Sequence, residues 1–169
     1  MKKIVIIING VGGAGKDTLC DYVSAHIEAV NVSSITPIKD IAQNYGWDGE
    51  KTESSRKFLA DLKRTFIDFN DLPTEYLLGE YEKFTKGTAE IFFAHIREAA
   101  EIEKFKERIK GMSCVTLLIR RGESISWGNS ADDEVEKYAY DYYFDNDKEL
   151  GEAEVDFCSL VLRILNDNS

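Results

Sequence analysis

Near its start the chain carries an unbroken run of branched apolar residues, Ile-Val-Ile-Ile-Ile at positions 4–8. Such a run predicts a central strand of a parallel sheet, apolar on both faces because helices cover both. From Lys16 the period changes, and Leu19, Val23 and Ile27 recur on one face of a predicted helix. Residues 30–35 predict a second short strand, 37–45 a helix, 53–69 a longer helix with Phe58, Leu62, Phe66 and Phe69 along one side, and 73–85 another helix. Residues 91–96 repeat the strand pattern, a helix carrying Ile102, Phe105 and Ile109 follows, and 114–119 is strand again. Residues 140–144 make a weaker strand pattern, since Asp141 interrupts the apolar positions. A last helix over 148–165 is expected to turn Val155, Cys158, Val161, Leu162 and Leu165 toward a core. Strands alternating with helices predict an α/β fold, three layers around a parallel sheet. The two prolines, Pro37 and Pro73, stand at expected helix starts.

Composition narrows this picture. The chain has 169 residues, 43% of them hydrophobic, enough for one core and too few for two, and no repeat or Pro/Gly-rich linker divides it. A single domain over residues 1–169 is expected. The apolar run after the opening Met-Lys-Lys is too short for a secretion signal and passes directly into glycines, so a cytoplasmic location and no membrane partner are expected. Cys20, Cys114 and Cys158 have no paired spacing and read as inert buried thiols. The formal charge of −10 argues against sequence-independent binding of nucleic acid, which needs a basic field to displace counterions. An anionic substrate must then be held locally, so the positions of the 21 basic residues matter more than their number. Exposed and buried apolar faces are not separable at this level, which leaves room for a homodimer.

The chemistry concentrates after the first strand. Gly10-Val11-Gly12-Gly13-Ala14-Gly15-Lys16 fits G-x-x-x-x-G-K and stands between a strand and an amphipathic helix, the context in which this motif holds phosphate. Gly10, Gly12, Gly13, Ala14 and Gly15 let backbone N–H groups turn inward around the phosphates of ATP. The helix N-terminus adds a favourable dipole, and Lys16 supplies a cation for the β- and γ-phosphates. A dinucleotide-binding reading fails, because it leaves the lysine unexplained and no acidic residue ends the second strand. Asp17 follows where Ser or Thr usually coordinates magnesium, and the hydroxyl moves to Thr18, which is expected to reach the α-phosphate region. Two readings stand for Asp17: a Mg²⁺ ligand, directly or through water, or an acidic residue that favours the helix N-terminus.

The run Gly15-Lys16-Asp17-Thr18, together with Pro37-Ile38-Lys39-Asp40, resembles the phage-type deoxynucleoside monophosphate kinases of the P-loop kinase superfamily. His95-Ile96-Arg97-Glu98, followed by Glu101, occupies the place of that family's Asp-x-Arg strand end and subsequent Glu. Leu118-Ile119-Arg120-Arg121-Gly122 is similar to the strand leading to its lid. The resemblance implies a P-loop NTPase fold of the nucleotide kinase type, with an acceptor-binding helical segment near residues 36–88 and a short lid near 120–134. It also implies transfer of the γ-phosphoryl group from ATP, with Mg²⁺, to a nucleoside monophosphate or a similar small phosphorylated metabolite. Such transfer needs no covalent intermediate; Lys16, Arg97, Arg120 and Arg121 would gather around the moving group.

Read on their own, these residues carry further expectations. Arg97 directly follows an apolar strand and so stands at the carboxyl edge where α/β proteins bind ligands. Arg56 and Lys63 share one helix face and Lys57 and Arg64 another, a group that can meet an acceptor phosphate or form a solvated basic stripe. The stretch from Arg120 to Asp132, with Gly122, Trp127 and Gly128, reads as a lid that excludes water or as a surface loop. Asn146 and Asp147, just before the last helix, can approach an adenine ring, and Asp147 also reads as an N-cap. His95 stands where the resembled family has an aspartate, leaving Asp17, Asp40 and Glu98 as candidates for the missing carboxylate. That departure keeps a second function in view: an ATP-binding or regulatory module with little or no phosphotransfer.

Overall fold

The computed structural model describes residues 2–122 and 134–168. Five strands form the centre: β1 (Ile4–Asn9), β2 (Ala29–Ser33), β3 (Ile91–His95), β4 (Ser113–Arg120) and β5 (Tyr142–Asp145). They are parallel throughout and lie in the order β2-β3-β1-β4-β5. Among the described residues six α-helices connect and cover them: α1 (Lys16–Ser24), α2 (Thr36–Asn44), α3 (Glu53–Asn70), α4 (Leu72–Lys86), α5 (Ala99–Arg108) and α6 (Leu150–Asp167).

The uniform apolar character of β1 follows from its central place. Ile4, Ile6 and Ile8 point into a core shared with α1 and α6, while Val5 and Ile7 enter a second core under α4 and α5. Both faces are dry, so no polar alternation survives. The second core is aromatic: Phe92 lies between Phe84 and Phe105, with ring centroids 5.3 and 6.3 Å away. As the sequence implied, Pro37 and Pro73 occupy the first turns of α2 and α4.

Three elements depart from their expected form. β5 begins two residues later than expected because Asp141 is a clamp and not a strand residue. Its Oδ2 accepts the backbone N–H of Thr116 at 2.8 Å and the Thr116 hydroxyl at 3.0 Å. α6 is rotated part-way from its expected face: Val161 is buried and Cys158 and Leu165 pack against the core as expected, but Ala153, Phe157, Leu160 and Ile164 are buried with them while Val155 and Leu162 are 54% and 46% exposed. Both faces of that helix are apolar in sequence, and the edge-to-face contact of Phe157 with Phe144, at 5.1 Å, goes with the face that is buried. In α3 the expected apolar side is only partly covered, with Phe58 and Phe69 exposed, Leu62 and Phe66 half-buried, and Lys63 the residue that is buried. α3 ends at Asp71, whose backbone is left-handed (φ 52°, ψ 42°) and which also begins α4. Lys104 on α5 donates to its Oδ2 at 2.8 Å, tying this corner to the domain. Among the described residues no helix is long and apolar enough to cross a membrane.

The rotation of α6 is checkable by urea denaturation. Phe157→Ala should cost about 3–5 kcal/mol of stability, as for other buried aromatics, while Leu162→Ala should cost about 0.5 kcal/mol or less. Equal losses would return Leu162 to the core.

Candidate active site

β1 ends at Asn9, and within one residue the chain must leave the sheet and begin the glycine loop. Gly10 passes so close to β4 that a Cβ there would lie 2.5 Å from the Ile119 carbonyl oxygen. Gly15, at φ 85°, caps the N-terminus of α1, and a Cβ there would lie 2.6 Å from Asn146 Nδ2. Only glycine fits both constraints. Asn146 is buried and donates from Nδ2 to the Ala14 carbonyl at 2.9 Å, so the connection after β5 supports the loop from behind. Lys16 Nζ crosses the loop mouth, donating to the Gly10 and Val11 carbonyls at 2.9 and 3.3 Å. Its ammonium is thereby held where phosphates would meet the start of α1.

Beside the loop, the end of β3 presents His95, 9% exposed. Its Nε2 is 2.7 Å from Asn31 Oδ1 on β2. With that amide oxygen as acceptor, Nε2 carries the proton and Nδ1 keeps a lone pair, 3.9 Å from Asp17 Oδ1. Burial lowers the imidazole pKa to about 4; Asp17 opposes this and Lys16 adds to it, both by less. His95 is therefore neutral at pH 7. Asp17 itself is open to solvent at the first turn of α1, a hard-oxygen donor next to the loop. Among the described residues there is no group of three or more His, Cys, Asp and Glu side chains able to hold a metal. One carboxylate beside a phosphate loop nevertheless suits Mg²⁺, which is commonly held by one or two carboxylates plus substrate phosphates.

A second set of cations acts on this region; Lys51 was not singled out in the sequence, and Lys39 entered only within the run 37–40. Burial lowers the Lys39 pKa, and the nearby charges of Lys51 and Arg97 lower it further, with Asp17 opposing. Lys39 in α2 thus feels the charges of Lys51 before α3, Arg97 after β3 and Asp17 at the start of α1. The signal available in sequence was weak, since Lys51 sits among polar loop residues and Lys39 reads as an ordinary helix lysine.

The four basic residues expected on α3 are not brought together in this way. Lys63 is buried in an ion pair with Glu101 Oε2 at 2.6 Å, and Glu98 Oε1 is 3.5 Å away. Burial raises the Glu101 carboxyl, which Lys63 opposes. Lys57 pairs with Asp61 one turn on, in solvent, while Arg64 is exposed and Arg56 half-buried. At the end of β4 the two arginines also part. Arg120 is held by both oxygens of Glu136, at 2.9 Å, with its guanidinium 4.6 Å from the Tyr143 ring centroid. Arg121 instead reaches over the loop, with Nη1 3.9 Å from the Cβ position of Gly15. Asp147 is not the cap of α6, which is Glu149; its Oδ1 accepts the Gly122 N–H at 2.7 Å. Most of the expected lid, including Trp127, Gly128 and Asp132, lies outside the described residues.

A parallel sheet in this order, with a glycine loop, lysine and helix following its central strand, is the fold of the P-loop kinases. No family model and no curated protein matches the chain. Solved structures do. A putative kinase from Chloroflexus aurantiacus is similar over 99% of this chain and 98% of its own, at 13% identity and a TM-score of 0.57. A shikimate kinase from Bacteroides thetaiotaomicron is similar over 94% and 98%, at 15% identity and 0.55. A sugar kinase from Janibacter sp. is similar over 98% and 95%, at 15% identity and 0.51. Identities this low establish the shared fold.

Two charges in this region give measurable expectations. Lys63→Met strands the Glu101 carboxylate in the interior and should cost about 3–5 kcal/mol, whereas Lys57→Ala should change stability by about 0.5 kcal/mol or less. Urea midpoints would separate them, and equal effects would contradict the buried pair. For His95, the folded pKa of about 4 lies below the ordinary 6.5, so protons favour the unfolded chain. Its contribution is full above pH 6.5 and is lost as pH falls toward 4, by about 3 kcal/mol in all. Unfolding measured across that window should flatten in His95→Gln; an unchanged slope would assign the acid sensitivity to another group.

Proposed function

We propose that the protein is an ATP-dependent small-molecule kinase whose acceptor already carries a phosphate, a nucleoside monophosphate being the acceptor that best fits the resemblance at residues 15–18 and 37–40. The observation that carries this reading is the presence of two cation sets around Asp17. Lys16 and Arg121 stand at the glycine loop, and Lys39, Lys51 and Arg97 form the second set. In a chain of net charge −10, a half-buried Lys39 that feels the charges of Lys51 and Arg97 supports a site for an anion.

The chemistry follows from position and charge. Loop amides and Lys16 hold the β- and γ-phosphates of ATP, and Lys39, Lys51 and Arg97 hold the acceptor phosphate so that one of its oxygens faces the γ-phosphorus. Charge spreads over the transferred oxygens in a loose transition state, and Lys16, Arg97 and Arg121 are placed to stabilise it. Mg²⁺, held by Asp17 and the phosphates, would neutralise the donor charge. His95, neutral, adds no charge and orders the end of β3 through Asn31. The neutral imidazole in place of a carboxylate favours a second reading, an ATP-binding module without turnover.

ADP production from Mg·ATP across a panel of ribo- and deoxynucleoside monophosphates distinguishes the two, with Lys16→Ala as blank. Turnover with at least one monophosphate is expected, absent in Lys16→Ala. Lys39→Met should raise the acceptor KM by about tenfold or more, the loss of one charged hydrogen bond, and leave ATP affinity unchanged. ATP binding with no monophosphate phosphorylated would overturn the nucleotide-kinase reading in favour of another phosphorylated acceptor or the binding module.

A further inference from the structure

The last residue of β1, Asn9, is polar and 1% exposed, the sole polar side chain of an otherwise isoleucine and valine strand. Its amide joins three parts of the chain. Oδ1 accepts the N–H of Gly10, the first residue of the glycine loop, at 2.8 Å. Nδ2 donates to the Arg97 carbonyl, 88 residues on, and to the Tyr140 hydroxyl, 131 residues on, both at 2.8 Å. Tyr140, itself buried, passes the connection along by donating to the Val135 carbonyl at 2.8 Å. Burial raises the Tyr140 pKa to about 12, against the hydrogen bond from Asn9, so the hydroxyl keeps its proton and can donate.

The position of this amide in the ladder explains its use. Ile96 donates its N–H to the Ile8 carbonyl at 3.2 Å as β3 ends. One residue later the chain at Arg97 has left the sheet, and Asn9 extends the pairing by a side chain. The bond spans the gap between the loop that faces the donor and the arginine that faces the acceptor. Asparagine offers an acceptor and two donors at this reach: ionised aspartate has no donor, and an apolar residue would give up all three bonds.

We propose that Asn9 is a positioning residue for phosphoryl transfer, a single buried amide that holds the glycine loop, the backbone of Arg97 and the segment from Val135 to Tyr140 in one frame. The inference rests on the kinase reading above. Asn9 touches no substrate in this scheme; it fixes the spacing between the donor loop and the acceptor arginine, and misplacement of about 1 Å at such a distance can lower turnover by about a hundredfold.

The test compares Asn9→Ala and Tyr140→Phe with the parent protein at a temperature well below all three melting points. Positioning predicts a kcat lower by about 10- to 100-fold in Asn9→Ala, a smaller fall in Tyr140→Phe, and little change in the KM for ATP. The double variant should be no slower than Asn9→Ala, since Tyr140 acts through the same amide. An unchanged kcat in folded Asn9→Ala, or a loss confined to the KM for ATP, overturns the proposal. Should Asn9→Ala fail to fold, Tyr140→Phe alone decides by the same criteria. Should the parent protein phosphorylate nothing in the panel, the kinase reading fails separately, and amide NMR of the ATP-bound protein judges the frame. Tyr140→Phe must then shift resonances at both 10–15 and 97–98; shifts restricted to 135–143 overturn it.

Discussion

The backbone of the glycine loop runs so near its neighbours that the Ile119 carbonyl and the Asn146 amide occupy the space where side chains would begin at positions 10 and 15. That close approach governs the site. Because β1 lies between β3 and β4, the loop at its end descends onto β4 on one side and is supported from the β5–α6 connection by Asn146. Arg121, just past the end of β4, is carried over Gly15 by the same contact. Arg97, just past β3, is brought to the other side. A loop that stood further from the sheet would have room for larger residues but would leave Arg121 out of reach.

Charge in this molecule is organised by what each cation finds on folding. Lys63 and Lys39 are both helix lysines in the same half of the chain. Lys63 finds Glu101 and Glu98 and becomes an internal strut between α3 and the start of α5. Lys39 is partly buried with Lys51 and Arg97 as neighbours, an arrangement that works against its own ionisation. Arg120 and Arg121, adjacent in sequence, divide in the same way: one is neutralised by Glu136, the other faces the loop.

Where sequence and structure agree, the controlling forces are local. The run at 4–8 needed only its own composition to be read as an interior strand. The change of period at Lys16, and the prolines in the first turns of α2 and α4, likewise marked helix starts without reference to distant residues. Disagreement arises where two outcomes are locally equal. α6 has two apolar faces, and which one is buried goes with a contact between Phe157 and Phe144. The phenylalanines of α3 have helical spacing, yet the interior beneath that helix is built around an ion pair, so the slot accepted Lys63 and excluded Phe58. Asp141 looked like a flaw in a strand because its bonds to Thr116 span 25 residues.

The sequence by itself determined the alternation of strand and helix, the parallel interior of β1 and the place of the phosphate loop between them. These depend on periodicity and on backbone freedom at a few glycines, properties that reside in short stretches. Tertiary structure alone decided that Asn9 would bind Arg97 and Tyr140, that Lys39 and Lys51 would join Arg97, and that Lys63 would turn inward. Each of those choices depends on which polar group lies opposite once water is excluded, and the groups opposite come from elements tens of residues away.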